Sequence, residues 1–172
     1  MIKGLSAKEL EIISHLEFDQ KYFFTRSDIR KFFKNTGLMN YYIHRLMKKG
    51  RILKLNKRKY YLIPIRAKGG HWAEHPALIA DEIMNGKDYF IGGAYAAYIW
   101  GMIEQIPRQL DVYTTKKQGR MNIFNVAIIF HRTTQKNLRN GVKRKISGHA
   151  YILARKKKAE ECFGTKGSSH LE

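Results

Sequence analysis

One cysteine, three prolines and only 14 Asp and Glu against 33 Lys and Arg are the scarcities of this 172-residue chain. A single cysteine, Cys162, excludes an internal disulfide and a thiolate metal cage, as expected of a protein kept in a reducing compartment. Long apolar runs are missing too. The most hydrophobic stretch, Tyr89 to Ile103, is broken by three glycines and falls short of a bilayer span. The N-terminus, MIKGLSAKEL, has no apolar signal core, and no lipidation signal or basic helix with a strongly apolar face is visible. The sequence therefore predicts a soluble, cytoplasmic protein with no membrane partner. The shortage of acid leaves a formal charge of +19. Such a charge attracts polyanions and repels a second copy, so nucleic acid is the expected partner and a monomer or weak dimer the expected state.

Charge does not divide the chain: residues 1–70 carry 17 basic and 5 acidic side chains, and residues 71–172 carry 16 and 9. The stretch Pro64-Ile-Arg-Ala-Lys-Gly-Gly70 does, because a proline and a glycine pair follow a strand-like run and precede a helical pattern. The expected organisation is a DNA-binding module over 1–66, a second small domain over 71–163 and a disordered tail over 164–172. The expected fold class is α+β: an N-terminal winged helix-turn-helix, then a small α/β domain with a mostly antiparallel sheet.

Ser6-Ala-Lys-Glu9 has capping-box spacing and opens a helix with Leu10, Ile13 and Leu16 on its inner side. Thr25-Arg-Ser-Asp28 repeats the device before a second helix burying Ile29, Phe32 and Phe33, and Asn35-Thr-Gly37 supplies a turn. A third helix, Leu38 to Lys49, turns Leu38, Ile43, Leu46 and Met47 inward and stops at Gly50. Two β-prone runs, 51–55 and 60–63, flank the basic tip Asn56-Lys-Arg-Lys59. Three helices and a basic hairpin in this order predict a winged helix-turn-helix.

With Ile43, Leu46 and Met47 inward, Asn40, Tyr41, His44, Arg45 and Lys48 fall on the opposite face. Asn40 and Arg45 are the expected base readers, since Asn pairs bidentately with adenine and Arg with guanine in the major groove. Tyr41 and His44 suit bases or phosphates. Lys48, Arg26, Lys31, Lys57, Arg58 and Lys59 suit phosphate neutralisation on double-stranded DNA.

The segment Tyr89-Phe-Ile-Gly-Gly-Ala-Tyr-Ala-Ala-Tyr-Ile-Trp-Gly-Met-Ile-Glu-Gln-Ile-Pro107, followed by Leu110-Asp-Val-Tyr-Thr-Thr115, resembles the AbiEi-type antitoxins and related transcriptional regulators of type IV toxin-antitoxin systems. The resemblance runs from about Thr25 to about Cys162 and is most specific at Gly101 to Pro107 and at Thr114-Thr115. It implies a repressor that autoregulates its operon by assembling on repeated DNA sites. It also implies neutralisation of a nucleotidyltransferase-like toxin without stable contact between the two proteins. Members of that family usually carry further helices after a segment like Ala154 to Phe163.

Read without the resemblance, the second domain has strands at Tyr89 to Ile91, Leu110 to Thr114, Met121 to Phe124, Val126 to Arg132, Val142 to Ile146 and His149 to Leu153. Helices are expected at Gly93 to Gly101 and Arg155 to Cys162. Gly92-Gly93 followed by Asp111-Val-Tyr113 also resembles a nucleotidyltransferase, but two-metal catalysis needs paired carboxylates. Tyr113 stands where the second would be, and no Asp or Glu occurs between Val112 and Ala159. No enzymatic activity and no cofactor are expected. His71-Trp-Ala-Glu-His75 matches the H-x-x-E-H zinc arrangement, yet Pro76 pushes His75 out of the helical region, favouring a capping or packing role. A replication or maintenance protein of a mobile element is the other DNA-binding class that this composition fits.

Overall fold

A computed structural model describes residues 4–65, 75–123 and 126–167. The chain divides into two compact units, 1–73 and 74–172. Both mix helix and strand, so the class is α+β.

The first unit opens with α1 (Ala7–Phe18), whose N-terminus is a complete capping box. Ser6 Oγ accepts from the Glu9 amide, and the Glu9 carboxylate accepts from the Ser6 amide at 2.7 Å. Its buried positions are Glu9, Ile12, Ile13 and Leu16, an i, i+3, i+4, i+7 set, while Leu10 is exposed. Ile13 and Leu16 lie inside as the apolar pattern suggested, but the first inner place belongs to the Glu9 carboxylate rather than to Leu10.

A short strand β1 (Phe23–Thr25), not expected from the sequence, leads into α2 (Arg26–Ile29), again capped by a box between Thr25 and Asp28, and into a 3-10 turn over Arg30–Phe32. Ile29 and Phe33 are buried, and Phe32 packs half-buried against the core. Asn35 caps α3 (Thr36–Lys48) by accepting from the Leu38 amide at 2.8 Å. Thr36 and Gly37 therefore belong to the helix, and the turn expected at 35–37 is a cap. Met39, Ile43 and Leu46 face the core. At about 100° per residue these three lie within roughly 60° of one another, which leaves Leu38 and Met47 on the flanks, half-exposed rather than inward. Gly50, at φ +68°, ends the helix in the left-handed conformation that a side chain resists.

β2 (Ile52–Lys54) and β3 (Lys59–Leu62) then form an antiparallel hairpin, Ile52 opposite Leu62 and Lys54 opposite Tyr60. β1 pairs with the other edge of β3, Thr25 opposite Lys59, so the sheet order is β1-β3-β2. The hairpin is tied to the helices that precede it.

The second unit begins with α4 (Pro76–Met84), capped by His75 with Pro76 in the first turn. A six-stranded mixed sheet follows, built from β4 (Tyr89–Gly92), β5 (Gln109–Thr114), β6 (Gly119–Ile123), β7 (Val126–Arg132), β8 (Gly141–Ile146) and β9 (His149–Ala154). Its order is β6-β7-β5-β4-β9-β8, with β4·β9 and β5·β7 parallel and the other three pairs antiparallel. α5 (Gly93–Ile99) follows β4 directly, α6 (Gln135–Leu138) joins β7 to β8, and α7 (Lys156–Gly167) follows β9. The helix expected to stop at Cys162 thus reaches Gly167, which makes 164–167 helical rather than tail; residues 168–172 lie outside the described residues. So do 66–70 of the expected linker, and Phe124.

Tyr89 anchors the centre of this unit. Its hydroxyl donates to Asp81 of α4 at 2.6 Å and accepts from the Ile152 amide of β9 at 3.0 Å. Burial, reinforced by the Asp81 carboxylate, pushes the phenol far above its ordinary range, so it stays a donor at any physiological pH.

Candidate nucleic-acid interface

Asn40, Tyr41, His44 and Lys48 all project from the exposed side of α3. Between that helix and the hairpin lies a depression of about 220 Å³ lined by Arg26, Asn40, Ile43, His44, Met47, Lys54 and Tyr60. Arg26 reaches across from the start of α2: its Nε donates to Asn40 Oδ1 at 3.2 Å and its guanidinium lies 5.7 Å from the Tyr60 ring centre. Asn40 Oδ1 is thereby held toward Arg26. Lys54 and Met47, which the sequence reading did not place here, complete the lining because Lys54 faces out of β2 and Met47 sits on the helix flank.

At the hairpin tip Asn56 Oδ1 accepts from the amides of Arg58 and Lys59, both at 2.9 Å, folding the loop so that Lys57 and Arg58 are exposed. Lys59 is different: it is half-buried and belongs to the β3 ladder opposite Thr25. Lys31 stands apart from this group, 5.4 Å from the Phe32 ring centre, a ring that Lys8 of α1 also covers.

Arg45 is the residue whose surroundings differ most from the expectation of a free reading face. Its Nε lies 3.1 Å from Oε1 of Glu9, and its Nη1 donates to the Tyr41 hydroxyl at 3.3 Å. Glu9 is fully buried and also accepts from Lys49 Nζ at 2.6 Å, while the same ammonium donates to the Gly4 carbonyl. Burial alone would raise the Glu9 carboxyl, but the hydrogen bonds from Lys49 and Ser6 outweigh it and hold the group below its ordinary 4.5. The charged carboxylate locks the start of α1 to the last turn of α3. Capping-box spacing pointed to Glu9 as a helix signal; nothing in the sequence pattern showed that two cations of the third helix's last turn and cap, Arg45 and Lys49, gather around it.

In the second unit Asp111 is buried at 2 % exposure and is held by His131 Nε2 at 2.7 Å and Gln109 Nε2 at 2.9 Å. The Tyr113 ring stacks between Phe90 and His131, with centroids 5.0 and 4.8 Å away. Gly92 and Gly93 are demanded by this packing: a Cβ on Gly92 would meet the Tyr113 ring at 2.8 Å, and one on Gly93 would meet Asp111 Oδ2 at 2.5 Å. Of the zinc-like motif, His71 and Glu74 lie outside the described residues. His75 Nδ1 accepts from the Ala77 amide at 3.3 Å, and its Nε2 lies 3.1 Å from the Tyr95 hydroxyl, a capping and packing arrangement.

Among the described residues no helix is long and apolar enough to cross a membrane. No protein-family model and no curated protein matches the chain. Among solved structures, the crystal structure of the RV2827C protein from Mycobacterium tuberculosis is similar, with a TM-score of 0.55 and 14% sequence identity over 83% of this chain and 52% of that one. The chain spans about half of that protein's length, and the likeness is one of fold.

Proposed function

We propose that the first unit is a winged helix-turn-helix that binds duplex DNA, and that the chain is a cytoplasmic transcriptional regulator of the AbiEi antitoxin type. The observation that carries this reading is the juxtaposition of a polar, exposed α3 face with a basic hairpin across a groove lined by no carboxylate. In this reading α3 enters the major groove, where Asn40, oriented by Arg26, addresses an adenine edge, and His44 lies beside it. Lys48, Lys57 and Arg58 neutralise phosphates, and Tyr41 packs against the backbone. Arg45 is a positioning residue, since its guanidinium is drawn toward the buried Glu9 carboxylate and its Nη1 donates to the Tyr41 hydroxyl. The resemblance adds autoregulation on repeated sites and a functionally coupled nucleotidyltransferase-like toxin that the protein does not stably contact.

The hairpin supplies the direct test. Each phosphate neutralised lowers the slope of log K against log salt by about 0.9, so Lys57→Ala/Arg58→Ala should flatten the slope by about two units. Adding Lys59→Ala should change it less, because Lys59 lies half-buried in the strand. Fluorescence anisotropy on one duplex across a salt series measures this, and an unaltered slope in the double variant would remove the hairpin from the interface.

The same reading expects no nucleotide transfer. Asp111, the carboxylate that a nucleotidyltransferase would use, is buried and spent on His131 and Gln109. Incubation with Mg²⁺ or Mn²⁺, each nucleoside triphosphate and an RNA or protein acceptor should give no product. Turnover that disappears in Asp111→Ala would contradict it.

A further inference from the structure

Where β7 ends and the chain crosses through α6 to β8, the second unit holds a cavity of about 610 Å³. Three cations line it: Arg132, Lys136 and Arg139. All three are exposed, and none is ion-paired with a carboxylate among the described residues. Their polar neighbours are fixed rather than loose. Asn137 Nδ2 donates to Thr133 Oγ1 at 2.7 Å, and Asn140 Nδ2 donates to Asn137 Oδ1 at 2.8 Å and to the Asn137 carbonyl at 3.0 Å. Because Thr133 Oγ1 accepts that bond, its own proton is left for another acceptor. Gathering three like charges around one concavity without a counter-charge is unfavourable unless an anion completes the set. The planar guanidinium fork matches pairs of oxygens on carboxylate and phosphate groups bidentately, and the two arginines together suit the several oxygens of a phosphoryl group.

We propose that this cavity is a phosphoryl-anion site, in which Arg132 and Arg139 clamp a phosphate group, Lys136 neutralises its neighbour and the Thr133 hydroxyl donates to a phosphoryl oxygen. The ligand is a polyphosphate chain, free or as part of a nucleotide, or consecutive phosphates of a nucleic-acid backbone. The site is independent of the DNA reading given to the first unit.

The test uses the full chain and isothermal titration with tripolyphosphate and with ATP, at one low salt concentration without metal. Wild type should bind, and Arg132→Ala/Arg139→Ala should weaken binding by at least about tenfold, the scale of two lost charge-assisted bonds. Arg132→Lys/Arg139→Lys, which keeps charge but not the bidentate fork, should recover only part of it. Lys87→Ala/Lys156→Ala removes the same charge elsewhere in the second unit and should cost little. Equal losses in the two alanine pairs would show that only overall charge matters and would overturn the proposal, as would absence of binding by wild type. A duplex-DNA arm identifies the source. If Arg132→Ala/Arg139→Ala also flattens the salt slope on DNA, the phosphates belong to nucleic acid; if only tripolyphosphate and ATP are lost, the ligand is a free polyphosphate or nucleotide. Since the Lys57→Ala/Arg58→Ala variant leaves this cavity intact, failure of either reading is visible without the other.

Discussion

Glu9→Ala is expected to lower the stability of the first unit by about 3 kcal/mol, the low end of what removing one member of a buried ion pair costs. The low end applies because the two cations left behind are placed differently: Arg45 is partly exposed and can turn to water, whereas Lys49 has a side chain only 12% exposed and is left with the Gly4 carbonyl. Loss of the carboxylate also strips the Ser6 amide of its capping partner, at about 1 kcal/mol within that total. Glu9→Gln, which keeps an acceptor for Ser6 but not the charge, should cost less. The pH dependence follows from the sign of the shift. A carboxyl held below its unfolded 4.5 contributes stability that is present above that value and is lost as pH falls through the folded value. Chemical denaturation of wild type and Glu9→Gln between neutral pH and about pH 3 should therefore converge as acid is added. A constant gap would mean that Glu9 is not the group being titrated.

Gly93→Ala should destabilise the second unit by about 3 kcal/mol, combining the left-handed backbone at φ +61° with a Cβ placed 2.5 Å from Asp111 Oδ2. The carboxylate cannot step aside cheaply, because it is buried and held by His131 and Gln109. Asp111→Ala alone should also destabilise, since it leaves the His131 and Gln109 donors unpaired. The two changes share one clash, so the double variant should cost less than the sum of the singles by at least about 1 kcal/mol. Strict additivity in thermal melts would show that the glycine is required by backbone conformation alone.

What was legible in the sequence was punctuation and period. Ser6, Thr25 and Gly50 mark helix ends because each supplies a specific backbone partner or dihedral, and Pro76 correctly placed His75 outside α4. The six strands of the second unit announced themselves by β-prone runs. Pairing was not legible: β1 is three residues long, too short for a periodic signal, and the parallel β4·β9 and β5·β7 contacts join segments that no local pattern relates. Phase was partly missed for a physical reason. Glu9 occupies an inner position that a hydrophobicity pattern assigns to an apolar residue, and the pattern points to Leu10 instead. Leu38 and Met47 look inner in the sequence because flank and centre of a stripe differ by less than a turn, yet both are exposed at the stripe's edges. The polar face of α3 followed from the same period, but Arg45's engagement by Glu9 depends on a tertiary contact between the first helix and the third.

The sharpest test of the regulator reading is whether α3 discriminates between DNA sequences. Arg45→Ala is a poor probe, because it disturbs the buried Glu9. Asn40 and His44 are exposed and outside the core, so both can be replaced without loss of packing. A duplex selected for tight binding and a scrambled duplex would be titrated with wild type, Asn40→Ala, His44→Ala and Lys48→Ala at one fixed salt concentration, with folding checked by thermal melt. Loss of a base contact should cost Asn40→Ala about 1–3 kcal/mol on the selected duplex and little on the scrambled one, with a smaller loss of preference for His44→Ala. Lys48→Ala should weaken both duplexes nearly equally, as a phosphate contact does. Wild-type preference retained in both Asn40→Ala and His44→Ala would contradict the assignment of α3 as the reading element.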